Sequence, residues 1–200
     1  REIILRLEEE GVLTMNKELD MPLAPQRIAV ISSATAAGYG DFCDQLKNNP
    51  YGLSFQTKLF PAIMQGERVE ESIISALESV YQELDEWDVV VIIRGGGATS
   101  DLSGFDTYNL AANCAQFPLP IVTGIGHERD ETVLDIVAHT RVKTPTAAAE
   151  YLIGRLYETA LKLEDHASRV VNKVEERLNW EHTRLNRLSE RIPMNVRMCL

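Results

Sequence analysis

The chain has 200 residues, with 20 Lys and Arg against 30 Asp and Glu, a formal charge of −10, and 44% hydrophobic residues. This composition lets the chain bury a core and argues against a domain that holds nucleic acid by bulk electrostatics alone. The absence of an apolar run of about 18 residues excludes a membrane span. Three scattered cysteines, Cys43, Cys114 and Cys199, argue against a disulfide framework and predict a reducing, cytoplasmic location.

The first 26 residues predict the end of a helix followed by a linker. Residues 1–11 are helical in pattern and stop at Gly11, and Pro22 and Pro25 block regular structure after them. The chain opens at Arg1 in the middle of this pattern, which predicts a piece of a longer protein.

Residues 27–143 predict an α/β domain in which strands and helices alternate. The strand segments are rich in β-branched or continuous apolar residues, and they are residues 27–32, 54–60, 89–93 and 119–124. The helical segments lie between and after them, and they are residues 41–48, 67–87, 106–116 and 130–138. Four such alternations predict an open, mostly parallel, doubly wound sheet.

Residues 144–200 predict one long coiled-coil-type helix, with Thr144 as its N-cap and Pro145 at its first position. Apolar or small residues recur at spacings of mostly three and four, and this heptad stripe consists of Leu156, Ala160, Leu163, Ala167, Val170, Val174, Leu178, Leu185, Leu188 and Ile192. Such a stripe needs a partner helix. The alternative is a helix that folds back on its own domain.

Residues able to bind an anion follow three of the predicted strands. The segments are Ser32-Ser-Ala-Thr-Ala-Ala-Gly-Tyr-Gly-Asp41, Arg94-Gly-Gly-Gly-Ala-Thr-Ser-Asp101 and Thr123-Gly-Ile-Gly-His-Glu-Arg-Asp130. Because ligands of open parallel sheets bind beyond the carboxyl ends of the strands, the three segments predict a single site.

The first two segments predict a place for phosphate or another oxyanion. A guanidinium offers a planar fork, and exposed amides in a glycine loop wrap an oxyanion. The alternative for the Arg94 loop is a flexible turn. The residues assigned to substrate binding are Ser32, Ser33, Thr35, Gly95, Gly96, Gly97 and Ser100.

The third segment predicts general acid–base chemistry. On the first turn of a helix, His127 and Asp130 would share a face, so that the carboxylate could orient the imidazole. The alternative is a capping histidine with Asp130 serving the helix dipole. Asp41 is either a site carboxylate or a helix N-cap. These three residues are also suitable ligands for a divalent ion, although their spacing does not require one.

Together the motifs resemble the large-subunit family of bacterial exodeoxyribonuclease VII. Four stretches between residues 27 and 150 carry the resemblance, and they are Arg27-Ile-Ala-Val-Ile-Ser-Ser-Ala-Thr35 with Gly38 and Asp41, Arg94-Gly-Gly-Gly-Ala-Thr-Ser-Asp-Leu102 with Phe105, Gly126-His-Glu-Arg-Asp130 with Asp135, and Arg141-Val-Lys-Thr-Pro-Thr-Ala-Ala-Ala-Glu150. Their order and spacing are together highly specific.

The resemblance implies a hydrolase that cuts phosphodiester bonds of single-stranded DNA from its ends, releases oligonucleotides and requires no metal or other cofactor. It carries the family's catalytic residues onto Asp41, Arg94, His127 and Asp130. It further implies that the family's N-terminal OB-fold is missing here and that several copies of a small subunit bind the long helix. Pairing of two copies of this chain through the helix is the other possible arrangement.

Two other functions remain open from the residues alone. One is a non-catalytic nucleotide- or phosphosugar-binding α/β module with a helical assembly arm. The other is a scaffold whose α/β domain only places the long helix.

Overall fold

The computed structural model describes residues 2–95, 102–126 and 131–198, with side chains described as far as residue 189. The chain divides into two compact units, residues 1–157 and residues 158–200. The first unit is an α/β domain, and the second consists of the later part of one long helix.

A five-stranded sheet forms the centre of the first unit. Its strands run parallel throughout in the order β2-β1-β3-β4-β5, and they are β1 Arg27–Ser32, β2 Gln56–Pro61, β3 Val89–Ile93, β4 Ile121–Gly124 and β5 Thr140–Arg141. The prediction of an open, doubly wound α/β sheet is confirmed. The sequence does not predict β5, because two residues are too few to show a strand pattern.

Six helices surround or extend the sheet, and they are α1 Glu2–Glu9, α2 Ala37–Lys47, α3 Val69–Gln82, α4 Tyr108–Ala115, α5 Val133–Val137 and α6 Pro145–Met198. Short 3₁₀ turns follow α3 and precede α4. Two predicted helix starts are wrong. α2 begins four residues before the predicted residue 41, and α5 begins three residues after the predicted residue 130.

The central strands send alternate side chains to opposite faces of the sheet. Val90 and Ile92 of β3 join a core cluster that also contains side chains of α1, α3, α4 and α5. Val89, Val91 and Ile93 join a second cluster with side chains of α2 and of the first turns of α6. All five residues of β3 are fully buried, which is what its continuous apolar run predicts.

The segment before β1 packs into the first core cluster. Leu7 of α1 is fully buried there, and Gly11 ends the helix region with a φ of 70°, which suits a residue without a side chain. The ring of His139 holds the end of this segment, since its Nε2 lies 3.0 Å from the carbonyl oxygen of Leu19 and its Nδ1 lies 2.8 Å from Thr140 Oγ1. Burial lowers the pKa of this imidazole.

Asn16 is fully buried and joins the same segment to the chain at the starts of β4 and β5. Its Nδ2 donates to the carbonyl oxygens of Phe117 at 3.0 Å and Leu119 at 2.9 Å. Its Oδ1 accepts from the backbone N–H groups of Ile121 at 2.9 Å and His139 at 3.0 Å. The amide therefore uses both donors and both lone pairs of its oxygen.

α6 begins as predicted, with Thr144 at its N-cap, because Thr144 Oγ1 accepts a hydrogen bond from the backbone N–H of Ala147 at 3.1 Å. In the first unit, Leu152 and Leu156 of this helix are buried. In the second unit, the valines and leucines of the heptad stripe are half or more exposed, and those described are Leu163, Val170, Val174, Leu178, Leu185 and Leu188. No helix in the described part of the chain is long and apolar enough to cross a membrane.

Candidate functional site

The strand order creates a crevice between the carboxyl ends of β1 and β3. From β1 the chain passes through α2 to β2 on one side, and it then returns through α3 to β3 on the other side. Because the two connections leave in opposite directions, the ends of β1 and β3 form the topological switch point of the sheet, and ligands of doubly wound sheets bind at such a point. Ser32 ends β1, and Arg94 directly follows β3.

Arg94 is held at this crevice by the sheet. Its backbone N–H donates to the carbonyl oxygen of Gly124 at 3.2 Å, which extends the pairing of β3 with β4 by one residue. The residue is only 8% exposed, and among the described residues its Nε has no hydrogen-bond partner. A buried guanidinium with an open donor is costly unless an anion or acceptor satisfies it.

The hydroxyl groups after β1 lie in two different environments. Ser32 is fully buried, and its Oγ donates to the carbonyl oxygen of Ile93 at 2.8 Å, a bond that joins the end of β1 to the end of β3. Ser33 Oγ lies 3.2 Å from the Oγ1 of Thr35, which is exposed. Thus Ser33 and Thr35 form a hydroxyl pair towards solvent, while the hydroxyl of Ser32 already donates to the backbone.

The first turn of α2 lies against the loop after β3. A Cβ on Gly38 would lie 2.9 Å from the Cα of Gly95 and 2.8 Å from the Cγ of Pro145, so only glycine allows this approach. A Cβ on Gly95 would lie 3.2 Å from the backbone nitrogen of Gly38. The N-cap, Ala36, supplies no side-chain hydrogen bond. The positive end of α2 therefore lies next to Gly95 without a side-chain cap.

Asp41 lies on an exposed position inside α2, in its second turn. Since the helix begins at Ala37 and is preceded by Ala36, the alternative interpretation of Asp41 as the N-cap is wrong.

The start of α6 forms another wall of the same region, which sequence reasoning did not assign to the site. A Cβ on Gly124 would lie 3.0 Å from the carbonyl oxygen of Thr144, and Pro145 lies against Gly38. The Oγ1 atoms of Thr144 and Thr146 are 2.9 Å apart. The sequence signal for this wall is the Thr-Pro-Thr stretch at residues 144–146, which local rules interpret only as a helix start.

A buried carboxylate fixes the junction of β4 and α5. Asp135, which is 4% exposed, accepts from Thr123 Oγ1 at 2.6 Å and from the backbone N–H and Oγ1 of Thr132 at 3.1 and 2.9 Å. Thr132 in turn caps α5 by accepting from the backbone N–H of Asp135. The Oδ1 of Asp106 accepts from the backbone N–H of Val133 at 2.6 Å. The chain is therefore firmly anchored just after the predicted catalytic segment.

Five of the predicted site residues lie outside the described residues, and they are Gly96, Gly97, Ser100, His127 and Asp130. α5 begins only at Val133, so this helix does not provide the shared face expected for His127 and Asp130. Within the ranges that the structure describes, no group of three or more His, Cys, Asp or Glu side chains is arranged to hold a metal ion.

Comparison with known proteins gives one consistent result. A family model for the exonuclease VII large subunit matches residues 12–200. Curated proteins named exodeoxyribonuclease 7 large subunit match from Lactobacillus helveticus (31% identical over 97% of this chain and 43% of the relative), Nostoc sp. (39% over 83% and 39%) and Cyanothece sp. (34% over 97% and 46%). The chain thus spans less than half the length of each of these relatives.

Proposed function

The chain belongs to the exonuclease VII large-subunit family, and on that premise we propose that it carries the site that hydrolyses phosphodiester bonds of single-stranded DNA. The cuts are made from the ends of the strand and release oligonucleotides. The relatives named exodeoxyribonuclease 7 large subunit support this reaction class.

The burial of Arg94 is the observation that supports this proposal most directly. A guanidinium that is 8% exposed, with an open Nε among the described residues, lies where the strand order leaves a crevice. The uncapped N-terminus of α2 adds favourable electrostatics for an anion beside it. A phosphodiester supplies both the negative charge and the acceptor oxygens that such a site lacks.

Each predicted residue has a role in the proposed reaction. Arg94 and the amides of residues 95–97 hold the scissile phosphate and stabilise the charge that develops on it. His127 transfers a proton or attacks phosphorus, and Asp130 orients its imidazole. Asp41 positions water or completes the polar network.

The hydroxyl groups have supporting roles in the same proposal. Ser33, Thr35 and Ser100 donate to non-bridging phosphate oxygens. Ser32, whose hydroxyl donates to Ile93, holds the ends of β1 and β3 together beneath the phosphate. The reaction proceeds without an added metal or other cofactor.

The second unit binds partner helices in this proposal. An exposed heptad stripe that includes Leu163, Val174 and Leu178 is suited to coiled-coil packing. We assign it to copies of a small helical subunit, with pairing of two copies of this chain as the other possible occupant.

The decisive experiment uses the full-length large subunit assembled with its small partner. End-labelled single-stranded DNA is incubated with excess chelator, and the wild type is compared with His127→Ala. We expect the wild type to cut in chelator and the variant to be slower by about 10²- to 10⁴-fold, the usual contribution of a general acid or base. His182→Ala, which changes an exposed histidine of α6, is the matched control.

Three results would contradict parts of the proposal. Loss of wild-type cutting in chelator would make the carboxylates metal ligands. Cutting by His127→Ala at the wild-type rate would remove His127 from the reaction. Tight binding of mononucleotides with no shortening of the DNA would favour the non-catalytic binding module.

A further inference from the structure

The two units of the chain differ strongly in charge. Residues 1–157 carry 12 Lys and Arg against 23 Asp and Glu, a formal charge of −11. Residues 158–200 carry 8 against 7, a formal charge of +1. The acidic excess of the chain therefore belongs to the α/β unit, and a surface attractive to a polyanion has to be sought on the helix.

The helix sorts its charges by face. At about 100° per residue, all six Lys and Arg of residues 158–189 project within an arc of roughly 80°. We call this face the cationic stripe, and it consists of Lys162, Arg169, Lys173, Arg177, Arg184 and Arg187. The heptad stripe occupies a second arc. Five of the six acidic residues lie on a third, and they are Glu158, Glu164, Asp165, Glu175 and Glu176.

An exposed tryptophan lies within the cationic stripe. Trp180 is 51% exposed and lies well away from the arc of the heptad stripe, so a coiled-coil seam does not account for it. The guanidinium carbons of Arg177 and Arg184 lie 4.6 Å and 5.3 Å from the centre of its ring. Cations that track a phosphate backbone, with an aromatic ring on which a base can stack, are the recurring elements of surfaces that bind single strands.

The ion pairs of the cationic stripe are weak enough for a phosphate to replace their carboxylates. Arg177 and Arg184 contact Glu181 at 2.6 Å and 3.6 Å, and Arg169 contacts Asp165 at 3.9 Å. All five side chains are more than 40% exposed, and exposed pairs of this kind are weak. A phosphate accepts the same guanidinium hydrogen bonds as a carboxylate.

We propose that the cationic stripe with Trp180 is a second binding surface for single-stranded DNA, separate from the crevice between β1 and β3. From Lys162 to Arg187 it extends roughly 38 Å at about 1.5 Å per residue, long enough to contact several nucleotides. The choice of ligand rests on the proposed function, because single-stranded DNA is the substrate class of that site. The heptad stripe stays available to partner helices, since it occupies another arc.

The test measures binding to labelled oligo(dT) by fluorescence anisotropy over a range of salt concentrations. The full-length subunit assembled with its small partner carries His127→Ala so that DNA is not consumed. In this background, Lys162→Gln, Arg169→Gln and Lys173→Gln are combined as the stripe variant. The matched control combines Glu164→Gln, Glu175→Gln and Glu176→Gln on the acidic face.

We expect the stripe variant to bind at least about tenfold more weakly. The slope of log affinity against log salt is negative, and its magnitude should decrease by about 2, since each phosphate contact with a single strand contributes about 0.7. The control should bind as well as the parent or more tightly. Trp180→Leu should weaken binding with little change in slope, because stacking is not electrostatic.

Two results would overturn the inference. One is unchanged affinity and slope in the stripe variant. The other is loss of the small subunit from that variant in size-exclusion chromatography, which would make the stripe a protein-docking face. Cleavage by the complex with His127 intact is measured in parallel. Absence of cleavage there would contradict the proposed function, while the anisotropy comparison would still decide whether the stripe binds DNA.

Discussion

Arg94 is a charged residue in a buried position. Its side chain is almost removed from water, and its Nε has no acceptor among the described residues. Such a group adds little to the stability of the fold, because removing its charge from water costs free energy and no acceptor among the described residues compensates for that loss. A bound phosphate would compensate for it, so ligand binding explains this residue better than stability does.

The first prediction separates these two roles. Arg94→Met keeps a long side chain and removes the charge, so we expect the free energy of unfolding to stay the same or to rise by about 1 kcal/mol or more. Hydrolysis of single-stranded DNA should fall by about 10²-fold or more, as when an electrostatic donor is lost. Chemical denaturation and a cleavage assay on the same preparation measure both.

Arg68→Met, at an exposed arginine just before α3, is the control and should change neither quantity by much. A large loss of stability in Arg94→Met would instead show that this arginine is a structural residue.

At this scale the sequence predicts which residues end the strands but not what touches them. Arg94 and Ser32 are found from the position of two apolar runs. That Ser32 donates to Ile93, and that Thr144 lies beside Gly124, depends on contacts between segments far apart in the chain, which no local pattern contains.

Among the elements, α2 shows how tertiary contacts override local preference. The stretch from Ala36 to Gly40 has the composition of a loop, and the sequence therefore predicts a helix that starts only at Asp41. In the structure α2 starts at Ala37, because Gly38 lets its first turn pack against Gly95 and Pro145.

The second prediction uses two glycines of this helix. Gly38→Ala places a methyl group 2.8 Å from Pro145 Cγ and 2.9 Å from Gly95 Cα, and we expect it to destabilise the fold by about 1–3 kcal/mol and to slow cleavage. Gly40→Ala meets nothing within 4 Å and should stabilise the helix by about 0.5–1 kcal/mol.

Thermal or chemical unfolding of the two variants is the measurement. Equal stabilities would show that the first turn of α2 can move away from the loop after β3 at no cost.

Strands with an unbroken apolar run are predicted well, and elements whose bounds depend on caps or tertiary contacts are not. β1 and β3 match their predicted bounds because continuous β-branched runs have few alternatives. β5 escapes prediction because two residues carry no period, and α5 is shortened because Thr132 and Asp135 form a capping box that sets its start.

For the whole molecule, the charge of −10 first suggests that this chain cannot hold DNA by itself. The α/β unit carries a formal charge of −11 and the helical unit a formal charge of +1. The helix therefore offers a face for DNA in spite of the total charge, because its cations are concentrated on one side. Total composition could not reveal that face. It emerges only when the charges are projected on a helix that the heptad spacing already predicts.

The third prediction concerns assembly on the heptad stripe. Leu163→Ser should weaken association with the small subunit by about 10- to 100-fold, which corresponds to the loss of about 1.5–3 kcal/mol from burying one leucine. Leu161→Ser changes a similarly exposed leucine about 160° around the helix and should have little effect. Analytical ultracentrifugation of the mixed subunits measures both, and equal affinities would remove the stripe from the interface.

The four hydrogen bonds of Asn16 also set an order of events during synthesis. Its amide cannot be satisfied until His139 has left the ribosome, 123 residues later. At about 5–20 residues per second, that delay lasts roughly 6 to 25 seconds. Throughout it, Leu7 and the rest of α1 have no completed core to enter. The segment before β1 is thus fixed in place only after most of the α/β unit has been made, and a chaperone that binds nascent apolar segments has that interval in which to bind it.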